Sequence, residues 1–336
     1  MEFPTVLGGR IPGEFRSLPV EVLQTVLIHH QKYVPLTREG AVERFAAIVN
    51  SDDSGAEEIV RGMERVVVAR LRDAAFFFAE DRKRPLADRV ADLAGVTLHQ
   101  GLGSYLQKTE RMERLVDAMG AQLRLLTTAE HEAARQAARL AKADLTTLIV
   151  REFPELQGTM GGIYLRAEGT HGDGVVNAVR WHYHPLSIEE AAPPQGRLQG
   201  SDATVFAAVS LADKLDTLAG YFGLGEMPTG SRDPYGLRRA GQGAVRAVLD
   251  FWRTDAADSR PNLKKLVPLA IAGYGGALKR AAAEVERDLL AFLLDRLEYV
   301  LAMRFPREEV EAVVQTPGSE ALDDPQDTLV RLGALH

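Results

Sequence analysis

Residues 203–222, ATVFAAVSLADKLDTLAGYF, decide the fold. The run contains no proline and is apolar nearly throughout, yet it carries Asp213, Lys214 and Asp216, so it reads as a helix with acids set in apolar surroundings. A second helical stretch repeats the pattern in Leu140-Ala-Lys142-Ala-Asp144-Leu145, with Asp144 in its middle. Burying a carboxylate is costly unless it is paired, and Lys142 and Lys214 are neighbours of opposite sign. One reading is therefore an ion-paired structural core. The other is a metal site held between helices, for which few imidazoles accompany the acids.

Working outward, the strand signal nearly vanishes beyond Leu98. Helices are expected at 104–120, 130–153, 175–184, 203–222, 234–252, 261–281 and 282–303. Thr127 with Glu130 and Ser187 with Glu190 read as capping boxes, and Asp233 before Pro234 as a cap and first turn. In the last of these helices Val285, Leu289, Phe292, Leu293, Leu297, Val300 and Leu301 form one apolar stripe. The opening differs. Pro19 to His29 reads as a short helix with Ser17 nearby as a cap, and Lys32–Leu36 and Arg44–Val49 read as strands. From Ala56 a helix resumes through Val60, Met63, Val67, Ala74, Phe77 and Phe78, with the branched run Val66-Val67-Val68 as its weakest point. The fold class is mainly α with a small α/β N-terminal part, divided at 1–97, 98–303 and 304–336. Surface loops are expected at Pro193-Pro194-Gln195-Gly196 and at Gly223–Gly230. The weak helical pattern of Leu322–His336 is expected to continue into something further.

Composition narrows the function. The 336 residues suggest two domains, at roughly 150 residues each. Hydrophobic residues at 46% and charged residues at 26% suit a chain with a sizeable core and exclude wholesale disorder. There is no cysteine, which removes disulfides, thiolate zinc sites and cysteine nucleophiles and suits a reducing, cytoplasmic setting. No run approaches the roughly 18 apolar residues of a membrane span, and Met1-Glu2-Phe3-Pro4 lacks the order of a secretory leader, so a soluble chain is expected. A net charge of −7 argues against nucleic-acid binding through global charge, leaving local basic faces to be sought.

Most catalytic patterns fail. His131-Glu132-Ala133-Ala134 ends in Arg135 where a zinc protease needs its second histidine. His182 and His184 lie two apart at a helix end, where side chains diverge, and a polar helix end beside Trp181 and Tyr183 is favoured over a metal pair. His29, His30 and His99 lack partners at ligand spacing. Gly223-Leu-Gly225 and Gly273-Tyr-Gly275-Gly276 precede helices as phosphate loops do, but no strand precedes either, so they read as tight turns. There is no Gly-x-Ser-x-Gly elbow. Two arginine clusters stand out: Arg61, Arg65, Arg70 and Arg72 along one helix, and Arg232, Arg238 and Arg239 in a loop and helix start. Arginine forks suit phosphate oxygens, although Glu64, Asp73 and Asp233 between them also fit a solvated, charge-laced face.

Several motifs occur in a telling order: Asp144-Leu145, Glu152-Phe-Pro-Glu-Leu-Gln-Gly158-Thr-Met-Gly161, Ala212-Asp213-Lys214-Leu215-Asp216-Thr217-Leu218, Pro228-Thr-Gly-Ser-Arg232-Asp233-Pro234 and Leu237-Arg238-Arg239-Ala240. Upstream, His30-Gln31-Lys32-Tyr33, Arg70-Leu71, Phe76-Phe77-Phe78, Glu80-Asp81 and Lys108-Thr109-Glu110-Arg111 continue them. This set resembles the β subunit family of the bacterial α2β2 glycyl-tRNA synthetases over nearly the whole chain.

The resemblance implies that an α subunit, with ATP and Mg, activates glycine, while β contributes recognition of glycine tRNA and assembly. Arg61, Arg65, Arg70, Arg72, Lys108, Arg111, Arg232, Arg238 and Arg239 are then candidates for tRNA contact. Met63 and Val68 stand where the family tends to carry Asn and Arg, which weakens the first basic patch. The resemblance further implies that residues 98–303 form a helical domain of the HD phosphohydrolase type. Asp144 and Asp213 occupy degenerate positions of its metal site, so no catalytic residue and no bound metal are expected. The rival is a metal-dependent phosphohydrolase acting on a nucleotide or RNA end through the same two acids. A complete β subunit would add an anticodon-binding domain, so this chain is expected to be a truncated or reduced form, with 304–336 as a linker.

Overall fold

The computed structural model describes residues 4–51, 55–184, 198–254, 256–315 and 320–336. It begins with an antiparallel sheet of β1 (Pro4–Arg10), β2 (Val34–Arg38) and β3 (Ala41–Asn50) in the order β1-β3-β2. A two-residue turn, Glu39 and Gly40, joins β2 to β3 with φ of 52° and 82°, the left-handed geometry that suits the twist of a hairpin. Leu7, Val42, Phe45 and Ala47 point inward against α1 (Val20–Thr25) and α2 (Ala56–Asp81). Phe45 stacks on Tyr33 at 4.8 Å and lies over Gly9, where an added Cβ would sit 2.2 Å from the ring. Strand β1 escapes a reading by alternation because Gly8 and Gly9 carry no side chain to mark the faces.

Pro19, not Ser17, is the cap position of α1, and its carbonyl accepts from Val22 and Leu23. Met63, Val67, Leu71 and Ala74 bury one stripe of α2, and this packing holds the valine run helical against its propensity. A short hairpin, β4 (Thr97–His99) with β5 (Gly103–Ser104), then leads into a helical array. The array comprises α3 (Tyr105–Asp117), α4 (Thr128–Leu140), α5 (Leu148–Glu152), α6 (Thr159–Glu168), α7 (Asp173–Trp181), α8 (Gly200–Leu224), α9 (Leu237–Arg246), α10 (Leu263–Ala272), α11 (Ala282–Ala302), α12 (Arg307–Val314) and α13 (Pro325–Leu335). Helix α8 is buried on nearly every side, and α3, α4, α7, α9, α10 and α11 pack around it. The molecule is thus mainly α with a small α/β N-terminal part.

Several boundaries depart from expectation, among them the helix read at 261–281, which ends at Ala272 before a turn that holds Gly273, Gly275 and Gly276. The helix read at 130–153 breaks after Leu140: a 3₁₀ turn, Ala143–Thr146, carries Asp144, and α5 restarts behind Thr147. Asp144 therefore lies between helices. The helix read from 234 starts at Leu237, where Asp233 reaches forward to accept from the N–H groups of Leu237 and Arg238. Helix α8 runs through Gly223 and stops at Gly225, with φ of 86°. Thr127 and Glu130 close a reciprocal capping box. Ser187 with Glu190 and the loop at 193–196 fall outside the described residues. Residues 304–336 hold α12 and α13, and Gln326 donates to the carbonyls of Val248 and Trp252. Among the described residues no helix is long and apolar enough to cross a membrane.

Candidate functional site: a buried lysine–aspartate cluster

Ser104 and Gln107 close a capping box that starts α3 and sets its phase. Lys108 and Arg111, one turn apart, then face Asp213 and Asp216, one turn apart on α8. Lys108 Nζ lies 3.0 Å from Asp213 Oδ1 and 3.2 Å from Asp216 Oδ2, and donates to Thr217 Oγ1 at 2.8 Å. Arg111 Nε donates to Asp216 Oδ1 at 2.5 Å, and its guanidinium lies 4.0 Å over the Tyr274 ring. Tyr274 donates its hydroxyl to the Asp216 carbonyl at 2.9 Å.

Lys142, just past α4, adds a second ammonium 3.0 Å from Asp213 Oδ1. Its Nζ is also 2.9 Å from His182 Nε2 and 3.6 Å from the centre of the Tyr183 ring. His182 Nδ1 is 2.7 Å from the Val179 carbonyl, which can only accept, so Nδ1 carries the proton and Nε2 accepts from Lys142. Lys214 donates to the His182 carbonyl and to Ser210 Oγ, each at 2.8 Å. No carboxylate lies within ion-pair distance of it among the described residues.

This inventory has electrostatic consequences. Burial pushes the Asp213 carboxyl up, but Lys108 and Lys142, with His182 and Lys214, together hold it well below the ordinary carboxylate range. Burial lowers Lys142 to about 8 and Lys214 to about 7 against the pull of Asp213. It also holds His182 well below its usual value, with Lys142 acting in the same direction. The ion-paired core expected from sequence is present, but its partners are exchanged: Lys142 serves Asp213 rather than Asp144, and Lys108 and Arg111 supply the rest.

Asp144 does something else. Its Oδ2 accepts from the backbone N–H of Gly158 at 2.6 Å and of Gly161 at 3.1 Å, anchoring the start of α6. Burial raises its carboxyl to about 6 against the pull of those two amides. Gly158 has φ of 77°, and a Cβ there would meet the Tyr183 ring at 2.9 Å. The Gly158-Thr-Met-Gly161 motif is therefore a structural joint between Asp144, α6 and α7. The residues present do not fit a divalent ion. Asp213 is engaged by two ammonium groups, Oδ2 of Asp144 by two amides and His182 Nε2 by Lys142, and among the described residues no group of three or more His, Asp or Glu side chains is placed to hold a metal ion.

Above the cluster lies a cavity of about 370 Å³ lined by Lys108, Lys142, Asp213, Lys214 and Arg239, with Tyr105, Tyr183, Tyr221 and Tyr235 among its walls. Tyr221 and Tyr235 stack at 4.3 Å, and His99 meets both edge-on.

The basic candidates separate by burial. Lys108 and Arg111 are only 2% and 7% exposed with their charges engaged as described, so neither offers a surface contact to a nucleic-acid backbone, although Lys108 lines the cavity. At 100° per residue, Arg61, Arg65 and Arg72 share one exposed face of α2, whereas Arg70 points the opposite way and pairs with Glu152 of α5 at 3.2 Å. Arg72 has Glu14 at 3.9 Å. Arg238 donates to the Gly230 carbonyl at 2.6 Å and so clasps its own loop. Arg232 is exposed on a small bridge with Thr229, and Arg239 is exposed at the cavity rim. Sequence reading missed the acceptor role of His182 and the absence of an acid beside Lys214; neither leaves a local signal.

Comparison with known proteins is consistent across the chain. The family profile described as glycyl-tRNA synthetase beta subunit matches residues 1–315. A glycine–tRNA ligase beta subunit of Acidithiobacillus ferrooxidans is 39% identical over 341 residues, covering 99% of this chain and 45% of the relative. The Magnetococcus marinus counterpart is 40% identical with the same coverage, and that of Aromatoleum aromaticum is 41% identical over 90% of this chain and 41% of its own length. The chain thus spans a little under half the length of the curated relatives it matches.

Proposed function

We propose, because this chain belongs to the glycyl-tRNA synthetase β subunit family, that it acts as a tRNA-binding and assembly core supporting glycine attachment to tRNA by an α subunit. The match along nearly the whole chain carries this reading. The helical array would be an HD-type scaffold whose metal position is filled by the Lys108 and Lys142 ammonium groups, with ATP and Mg handled by the α subunit in the cytoplasm. Engagement of both acids supports a non-hydrolytic role over phosphohydrolase activity.

The exposed face of Arg61, Arg65 and Arg72 is the favoured contact for phosphates, because its cations are accessible and lie on one side of the helix. Phosphate contacts release counterions, so binding of glycine tRNA, measured with the α subunit present, should fall steeply with salt. Replacing Arg61 and Arg65 by Gln should shallow the log–log slope by about 1 for each arginine removed. Absence of binding at low salt would defeat the reading, and an unchanged slope would remove this face from it. Phosphatase activity abolished in Asp213→Ala would favour the rival.

A further inference from the structure

Lys214 poses a specific problem. The residue is 5% exposed, and the acceptors its ammonium has, the His182 carbonyl and Ser210 Oγ, are both neutral. The acid next to it in the chain, Asp213, already faces Lys108 and Lys142 at 3.0 Å. A buried ammonium in this position gains most from an anion brought from outside. It does not stand alone, for Arg239 lines the same cavity, and so does Tyr183, whose buried hydroxyl has no hydrogen-bond partner among the described residues. A buried hydroxyl without a partner carries a desolvation cost that an incoming oxygen would relieve. The stacked Tyr221 and Tyr235 supply an apolar wall of the kind on which planar rings stack.

We propose that this cavity binds a phosphomonoester carried on a nucleoside. Lys214, Arg239 and the Tyr183 hydroxyl take the phosphate oxygens, and the Tyr221–Tyr235 pair takes the base. The lining selects an anion because its cations outnumber Asp213, and it selects a base-bearing anion because an inorganic ion leaves the tyrosine wall unused. The group is held and not hydrolysed, since among the described residues no set of three or more ligand side chains is placed to bind an ion that would activate water. Two sources share this chemistry, a free mononucleotide and the 5′-phosphate of an RNA. The site stands without the tRNA reading, because AMP binding needs neither tRNA nor an α subunit.

Calorimetric titration of the chain with AMP, adenosine and inorganic phosphate tests it. AMP should bind one to one, with adenosine and phosphate each weaker by about tenfold or more, the scale of one charge-assisted hydrogen bond or one stacked base. Lys214→Met and Arg239→Gln should each weaken AMP by about tenfold, and Tyr235→Ala should weaken AMP while leaving phosphate unchanged. Lys214→Met should not lower the melting temperature, since it replaces an ammonium lacking a counter-ion with an apolar chain of similar length; if it fails to fold, Arg239→Gln and Tyr235→Ala, both at exposed positions, decide. Displacement of AMP by 5′-phosphorylated but not 5′-hydroxyl glycine tRNA would identify an RNA end as the source, and displacement by neither would identify a free nucleotide. No AMP binding, equal binding of AMP and adenosine, or AMP affinity unmoved in both Arg239→Gln and Tyr235→Ala would overturn the proposal.

Discussion

The carboxyl of Asp144 shows how one residue's environment sets a measurable property. Both amides bond the same oxygen, Oδ2, while Oδ1 has no partner among the described residues. An Asn side-chain carbonyl can replace that oxygen. Asp144→Asn should therefore be at least as stable as the parent near pH 7.5, whereas Asp144→Ala should be less stable by about 1–3 kcal/mol in urea titration. The pH dependence has a definite sign. The folded protein holds the Asp144 proton up to about pH 6, above the ordinary value near 3.8, so its stabilising effect is complete in acid and fades as pH rises through that window. Lys214 acts oppositely at higher pH. The unfolded chain keeps its proton to about 10.5 and the folded chain only to about 7, so stability rises with pH between those values, and Lys214→Met should flatten that rise.

Between helices α6 and α7, glycine sets the approach. A Cβ on Gly162 would lie 2.4 Å from Arg180 Cβ, and one on Gly161 would lie 2.9 Å from Val179 Cγ1. Alanine is the better helix former by about 1 kcal/mol, yet the close approach outweighs that preference. Gly162→Ala should thus destabilise by about 1–3 kcal/mol and, by pushing α7 outward, loosen the Tyr183 ring from Lys142. Equal or greater stability by thermal melting would contradict this packing account. At the other extreme, α8 is surrounded, so it has no solvated face, and its polar sector of Ser210, Asp213, Lys214 and Asp216 is buried against neighbouring helices. The capping box at Thr127 was legible because both of its partners lie within one turn. The break at 141–147 was not, since Asp81 of α2 accepts from the N–H groups of Leu148 and Ile149, each at 2.9 Å, across a long separation in sequence.

That long-range link matters for the whole molecule. Asp81 also accepts from the Tyr164 hydroxyl at 3.1 Å and pairs with Arg89 at 3.5 Å, so one side chain at the end of α2 holds α5, α6 and the turn after α2 together. Removing it leaves buried donors without their acceptor and the Arg89 guanidinium without its counter-ion, though still bonded to the backbone carbonyl of residue 81. Asp81→Ala should cost about 3 kcal/mol or more, and hydrogen exchange should report weakened protection in α5 and α6 as well as in α2. A single hydrophobic core runs from the sheet through the helices, which couples such local damage across the chain. The helical character, the stripes of α2 and α11, strands β2 and β3 and the family membership all follow from the sequence, because periodicity, caps and motif order are recorded in residues close together along the chain, whereas β1 with its paired glycines does not. Only the tertiary structure decided which charge meets which. Neighbours on a helix point apart, so Lys142 found Asp213 on another helix, Lys108 and Arg111 turned inward from the surface role expected of them, and Lys214 was left beside a cavity with no acid of its own.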